Sequence, residues 1–306
     1  MKTTIATTLV AAAATAFCAG AQADTGKLLL TGGVSSIDGA AGGGLSPWAV
    51  IGSNATDGEI GGSAYISNLS TKDYGFNFYG AAVGIKDRFE FSIGQQDMDT
   101  RATGTALGLP GLRLKQTIVG AKVKVAGDAI LDSDNLMPQI AVGLQYKTLA
   151  STGLDGTLTA LGAKRNGVDL YVSATKLFLG NSLLLNGTLR ATKANLNGLL
   201  GYGATLGGSE NSYSLQPEFS IGYLVSKNVV IGAEYRMMRN KLEKAGAAAG
   251  LGNGLRSEDW KDIFVAWAPT KNVSLTLAYV DLGVVVPATT ASRKQQGVYV
   301  SAQLAF

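Results

Sequence analysis

The sequence predicts an all-β chain, an antiparallel transmembrane β-barrel of the outer-membrane type. Three observations lead there. The first 23 residues read as an export signal, strand-like runs of about ten residues recur without a comparable helix-period stretch, and the chain finishes on an alternating strand that ends in Phe306.

The N-terminus comes first in order. MKTTIATTLVAAAATAFCAGAQA has one basic residue, Lys2, then a small-residue apolar stretch, then Ala21-Gln22-Ala23, the layout of a secretory signal peptide over residues 1–23. Cleavage leaves Asp24 at the start of a single barrel domain, 24–306. Cys18, the only cysteine, falls inside the signal, and the bulky Phe17 before it argues against a lipid anchor. The mature chain therefore has no Cys and no His, so neither thiolate nor imidazole chemistry is open to it. Without Lys2 it carries 25 basic and 22 acidic residues, too mild a bias for a nucleic-acid partner. Gly is frequent (41), Pro is scarce (6) and mean hydropathy is +0.17, yet no mature stretch is apolar for the 18 residues of a spanning helix. A soluble periplasmic β-sandwich and an outer-membrane barrel both fit those bulk properties.

The mature start, KLLLTGGV (27–34) and LSPWAVIGS (45–53), has two strand-like pieces separated by IDGAAGGG. These pieces raise the expected strand count from twelve to fourteen, the favoured number. The Gly-rich joint allows the alternative, twelve strands with this segment folded into the lumen as a plug. The same glycines do not make a phosphate loop, because Pro47-Trp48 and another strand-like run follow where a helix is needed.

Twelve strands are expected from residue 60 onward, near 60–69, 76–85, 89–97, 113–126, 138–147, 168–179, 182–192, 213–225, 229–239, 259–268, 273–282 and 297–306. From about residue 85, short connections alternate with long polar or Gly-rich ones, the asymmetry of tight periplasmic turns and longer extracellular loops. A sandwich has no reason to sort its loops in that way. Centring one hairpin on Lys227 pairs Val225 with Val229, Tyr223 with Ile231, Ile221 with Ala233 and Phe219 with Tyr235, and sets Glu218 opposite Arg236. A second hairpin through Gly180-Asn181 pairs Phe178 with Leu183. The apolar faces then meet lipid and the polar faces line the lumen.

On that parity Glu90, Lys122, Lys124, Asp169, Arg190, Glu218, Glu234 and Arg236 point inward. Both signs occur, so no strong single-sign selectivity is expected. Trp267 extends the apolar face of Ile263 and Val265 at a strand end, as a membrane-interface aromatic does. Trp260, seven residues earlier, falls on the opposite face.

In GVYVSAQLAF, Val300, Leu304 and Phe306 share one face. A barrel closes its last strand against its first, and this ending is similar to the terminal strand by which outer-membrane proteins are recognised by the barrel assembly machinery. TGKLLLTGGVSSIDGAAGGGLSPWAVIG, ATKLFLGNSLLLNGTLRATKAN and FVAWAPTKNVSLTLAYVDLG resemble a proteobacterial outer-membrane β-barrel-like family, the domain-of-unknown-function group 3034, over essentially the whole mature chain. The resemblance implies an exported outer-membrane β protein and brings no catalytic or binding residues with it.

Chemistry is sparse. Carboxylate pairs Asp97/Asp99 and Asp132/Asp134 are close only in sequence, and Asp128, Asp132 and Asp134 lack the ordered spacing of a calcium loop. No enzyme, cofactor or metal site is expected. The functional expectation is a passive outer-membrane pore for small polar solutes, with outer-membrane lipid, the assembly machinery and those solutes as partners. The alternatives are a non-conducting structural or interaction barrel with ligand-binding extracellular loops, and the periplasmic sandwich.

Overall fold

The structure is a computed structural model describing residues 27, 30, 32–129, 136–208 and 211–306. The expected signal peptide at 1–23, with Cys18, and the pair Asp132/Asp134 lie outside the described residues.

Twelve antiparallel strands form a closed barrel, each hydrogen-bonded to its neighbours in chain order, with the last strand, β14 (Lys294–Ala305), sealed on the first wall strand, β3 (Ile60–Thr71). Between them run β4 (Gly75–Ile85), β5 (Phe89–Asp99), β6 (Arg113–Ala126), β7 (Gln139–Leu149), β8 (Asn166–Phe178), β9 (Leu183–Thr192), β10 (Ser214–Ser226), β11 (Val229–Arg236), β12 (Trp260–Thr270) and β13 (Val273–Val284). Closure satisfies every ladder without an exposed edge, the condition for crossing a bilayer with strands. Tyr223 pairs with Ile231, Ile221 with Ala233, Phe219 with Tyr235 and Glu218 with Arg236, but the expected pair Val225–Val229 is corrected to Ser226–Val229, because a bulge between Leu224 and Ser226 shifts the register at the tight turn. Phe178 pairs with Leu183 across the next hairpin.

Outward positions are apolar along most of the wall, including Ile66, Phe91, Ile93, Leu144, Leu170, Phe219, Ile231, Ile263, Leu277 and Val300, all well exposed. A continuous apolar belt of this extent belongs against lipid, not water. No helix among the described residues is long and apolar enough to cross a membrane.

The favoured count of fourteen strands is corrected to twelve. Among the described residues, the segment before residue 60 contributes no wall strand. Its regular pieces among the described residues are β1 (Val34–Ser35) and β2 (Ala41–Gly42), which pair with each other. Residues 34–43 and 45–53 are nearly all buried, inside the barrel. The physical reason lies in Gly42, which Ser46 and Pro47 approach so closely that a Cβ would sit 2.1 Å from the Ser46 carbonyl. The chain folds back on itself there and cannot run on as a strand. Twelve strands enclose more space than wall side chains fill, whereas about eight leave none over; the plug occupies the difference.

The two ends differ. At one end the connections are tight, apart from that joining β6 to β7. Asn54 donates to the Phe306 carbonyl there, so the plug enters the wall beside the end of β14. At the other end the long connections carry four short helices, α1 (Arg101–Ala106), α2 (Asp155–Ala160), α3 (Leu242–Ala248) and α4 (Pro287–Thr290). They fold inward: Leu154, Leu158, Leu196, Leu199, Leu242 and Val285 are buried in one cluster with inward Phe76, Phe78, Met98, Leu114 and Trp260. The opposite facing of Trp260 and Trp267 thus has a cause, since Trp260 packs into this inner cluster and Trp267 is 45% exposed on the outside.

Candidate functional site in the barrel lumen

The plug has little regular structure, so its backbone N–H and C=O groups need partners from elsewhere. Inward polar side chains of the wall supply them. Glu90 accepts from the backbone N–H of Ala41 at 3.1 Å and of Gly52 at 2.7 Å. Lys122, ion-paired to Glu90 at 3.1 Å, donates to the carbonyls of Ala41, Trp48 and Val50. Glu234 accepts from the Leu45 N–H and the Ser220 hydroxyl, both at 2.7 Å. Thr175 accepts from Ala49, and the Ser173 and Thr188 hydroxyls donate to the Pro47 carbonyl. An alternating wall strand therefore places a plug-binding group at every second residue.

At the tip of the plug is Asp38, with no exposed surface. Arg236 donates to its carboxylate at 3.0 Å, Lys147 lies at 3.4 Å and Arg190 at 3.6 Å. Behind these three cations stand Asp169, 3.0 Å from Lys147 and 3.5 Å from Arg190, and Glu218, 2.5 Å from Arg190 and 3.4 Å from Arg236. Burial would raise the Asp38 pKa, and the charges of Lys147, Arg236 and Arg190, with a hydrogen bond from Asn197, outweigh it and hold the carboxyl well below the usual carboxylate range. The wall alone contributes three cations and two anions; Asp38 supplies the missing anion.

Asn197 joins this cluster from the opposite end. It sits in the long connection after β9, in the left-handed region at φ 58°. Its amide donates to Asp38 at 2.6 Å, and its carbonyl oxygen accepts from Lys147 at 2.6 Å and Arg236 at 2.7 Å. The plug rising from the short-turn end and the loop descending from the long-loop end thus meet on one buried ion cluster.

Of the sequence-selected charges, Glu90, Lys122, Asp169, Arg190, Glu218, Glu234 and Arg236 are buried within the barrel. Lys124 is set apart, half-buried at the short-turn end, 2.7 Å from Asp87, which also binds Lys27 at 2.6 Å. Lys147 escaped the sequence reading although it shares strand parity with Gln145, and that parity was the signal for it. Asp38 and Asn197 had none, being in irregular segments. Asp97 and Asp99 form no two-carboxylate centre: Arg113 holds Asp97 at 2.8 Å and lies 3.6 Å from Asp99. Val300 and Leu304 lie outward on the sealing strand, and the Phe306 backbone exchanges hydrogen bonds with Gly62 of β3.

The lumen is two-sided. Inward positions from β5 to β10 are mainly polar and grip the plug. Those of β12, β13 and β4 are mainly apolar, whereas β14 and β3 also bury Gln295, Gln303, Ser63, Ser67 and Thr71, and between this side and the plug runs a cavity of about 40 Å³ lined by Leu69, Phe78, Phe264, Ala266, Val280 and Tyr299 together with Glu234 and Asp262 among others. Above the plug, at the long-loop mouth, a separate polar cavity of about 930 Å³ is lined by Arg239, Lys241, Lys244, Arg256, Lys261 and Lys294 together with Glu243, Glu258, Asp259 and Asp281.

A family model described as "Protein of unknown function (DUF3034)" matches residues 31–303. No curated protein matches the sequence. Among solved structures the chain is similar to the KdgM porin (TM-score 0.50, 12% identity, 80% of this chain and 99% of that one). It is also similar to the NanC porin (0.49, 8%, 80% and 100%) and to the COG4313 outer membrane channel from Pseudomonas putida F1 (0.48, 12%, 83% and 97%). With the KdgM porin, at 12% identity, the likeness is one of fold: a closed barrel of the outer-membrane type, here of twelve strands.

Proposed function

The chain belongs to the family described as protein of unknown function (DUF3034), and we propose that it is a gated outer-membrane pore for small polar solutes, held shut by its own N-terminal segment. The observation that carries this reading is the plug's attachment. Around Asp38 and Glu90 it is held by ion pairs and hydrogen bonds, and it leaves the barrel at the end where it entered. Such an element can be withdrawn without breaking a wall ladder. The mouth cavity, with charges of both signs, is the solute entry in this reading, and its mixed lining fits polar solutes of either sign. No catalytic role is assigned, since a chain without His cannot build a Ser-His centre.

The test is conductance in planar bilayers. Ala49→Cys with Thr175→Cys places a disulfide where the Ala49 N–H now meets the Thr175 hydroxyl at 2.8 Å. The oxidised variant should be silent and should conduct when reduced, and deletion of 32–53 should give a steadily open barrel. A deletion variant that migrates as folded barrel yet passes no current would replace this reading with the non-conducting barrel, which the filling of the lumen from both ends favours.

A further inference from the structure

The polar cavity at the long-loop mouth spans the rim of the wall. Ser214 lines it with the inward parity of Gln216, whereas Tyr235, Lys261 and Asp281 line it with outward parity. Those three are register partners across β11, β12 and β13. The next outward row down is Ala233, Ile263 and Tyr279, part of the lipid-facing belt. Two residues of strand, roughly 7 Å, separate the rows. The outer side of the cavity therefore stands directly on the belt, at the level where the headgroups of the outer leaflet begin.

The belt is hollowed at that point. Ala233 is small and sits between its larger register partners Ile221 and Ile263. A groove of about 660 Å³ runs over it, walled also by Leu277, Tyr279 and Val298.

The cavity above the groove holds both signs of charge, but its acids are engaged and its bases are not. Asp259 accepts from the Met238 N–H at 2.9 Å and from the Tyr235 hydroxyl. Asp281 accepts from the Gly283 N–H at 2.8 Å and the Gln296 amide at 3.1 Å, and Glu258 from the Val284 N–H at 3.0 Å. These carboxylates tie the rim together. Arg239, Arg256 and Lys294 make no ion pair among the described residues, and Lys261 reaches Asp281 only at 3.8 Å. Elsewhere at this end the cations are matched: Arg113 lies 2.8 Å from Asp97 and Arg293 2.9 Å from Asp73. Phosphate suits the unmatched cluster, because Arg grips two of its oxygens at once and Lys adds a point charge. A soluble anion would leave the groove below unused; an acylated one fills both.

We infer that the β11–β14 face of the barrel binds a phosphate-bearing lipid of the outer leaflet, with its phosphate among Arg239, Arg256, Lys261 and Lys294 and an acyl chain over Ala233. This stands whether or not the barrel conducts, since it uses the outer side of the mouth cavity.

The test is native mass spectrometry of the folded barrel in micelles, titrated with lipid A, an acylated glucosamine disaccharide carrying two phosphates. One molecule should be retained. Arg239→Gln, Lys261→Gln and Lys294→Gln combined should weaken retention roughly a hundredfold, about fivefold for each cation at an anionic headgroup. Arg113→Gln, Lys115→Gln and Lys193→Gln combined remove the same charge from the same end and should leave retention unchanged; equal weakening by the two triple variants would overturn the site. Ala233→Leu should also weaken retention, and no effect would overturn the groove. The fully deacylated disaccharide, still bearing both phosphates, should bind poorly; binding as tight as that of the acylated probe would make this a site for soluble anions instead. Equal retention of the acylated disaccharide stripped of its phosphates would overturn the role of phosphate.

Discussion

Arg236 of the wall donates to Asp38 of the plug across 3.0 Å, with both side chains removed from solvent. This contact ties the N-terminal plug to the centre of the lumen. Asp38 also balances Lys147 and Arg190, whereas Arg236 has Glu218 as a second anion. The two partners are therefore not equivalent.

Asp38→Ala should loosen the plug far more than Arg236→Ala. The first leaves three buried cations against two anions, and an uncompensated buried charge costs about 3–5 kcal/mol. The second leaves an equal imbalance, two cations against three anions, but it falls on the wall, and Asp38 of the plug keeps Lys147 and Arg190. Hydrogen exchange of the plug amides at Ala41, Leu45 and Gly52 should rise sharply in Asp38→Ala, with exchange of the wall strands unchanged.

The Asp38 contribution should survive mild acid. Its carboxyl is depressed by Lys147, Arg236 and Arg190 against the opposing effect of burial. A depressed carboxylate stabilises fully above its unfolded value, near about 3.9, and loses that contribution only as pH falls through the folded value, which here lies below the ordinary range. The difference in plug exchange between wild type and Asp38→Asn should thus be the same at pH 7 and pH 5. A difference that vanishes by pH 5 would refute the ion-pair account.

Lipid-facing charges should obey depth. Leu277 is 56% exposed in the middle of β13 and Trp267 stands near the end of β12. Leu277→Arg should cost about 2–4 kcal/mol in liposome unfolding titrations, and Trp267→Arg about 0–1 kcal/mol.

Phe306→Asp tests the terminal strand as an assembly signal. Backbone pairing of Phe306 with Gly62 does not depend on its side chain. Cells should export the variant normally and contain less heat-modifiable barrel, measured by gel mobility with and without boiling.

Gly42→Val should unseat the β1–β2 hairpin without harming the wall. An added Cβ would meet Ser46 and Pro47 backbone atoms at 2.1–2.8 Å. Protease sensitivity confined to the plug is the expected readout, together with an undiminished β-signal by circular dichroism.

The wall was legible in the sequence because a strand's two-residue period assigns each side chain to lipid or lumen from its neighbours alone. That is how the Glu218–Arg236 register, the outward Trp267 and the inward Trp260 follow from spacing. Short turns did the rest, since a hairpin with a two- or three-residue turn has only one register that keeps its apolar face intact. The fate of residues 27–53 was not legible. LSPWAVIGS is as apolar as many wall strands, and local pattern cannot distinguish a strand facing lipid from a segment packed in the lumen. That choice rested on contacts spanning the whole chain: Asp38 with Lys147, Arg190 and Arg236, Leu45 with Glu234, Gly52 with Glu90. Each joins residues that only closure of the barrel brings together. By itself the sequence determined which faces of the wall meet lipid; only the tertiary structure decided that the lumen is filled, because irregular backbone takes its hydrogen-bond partners from wherever the fold places them.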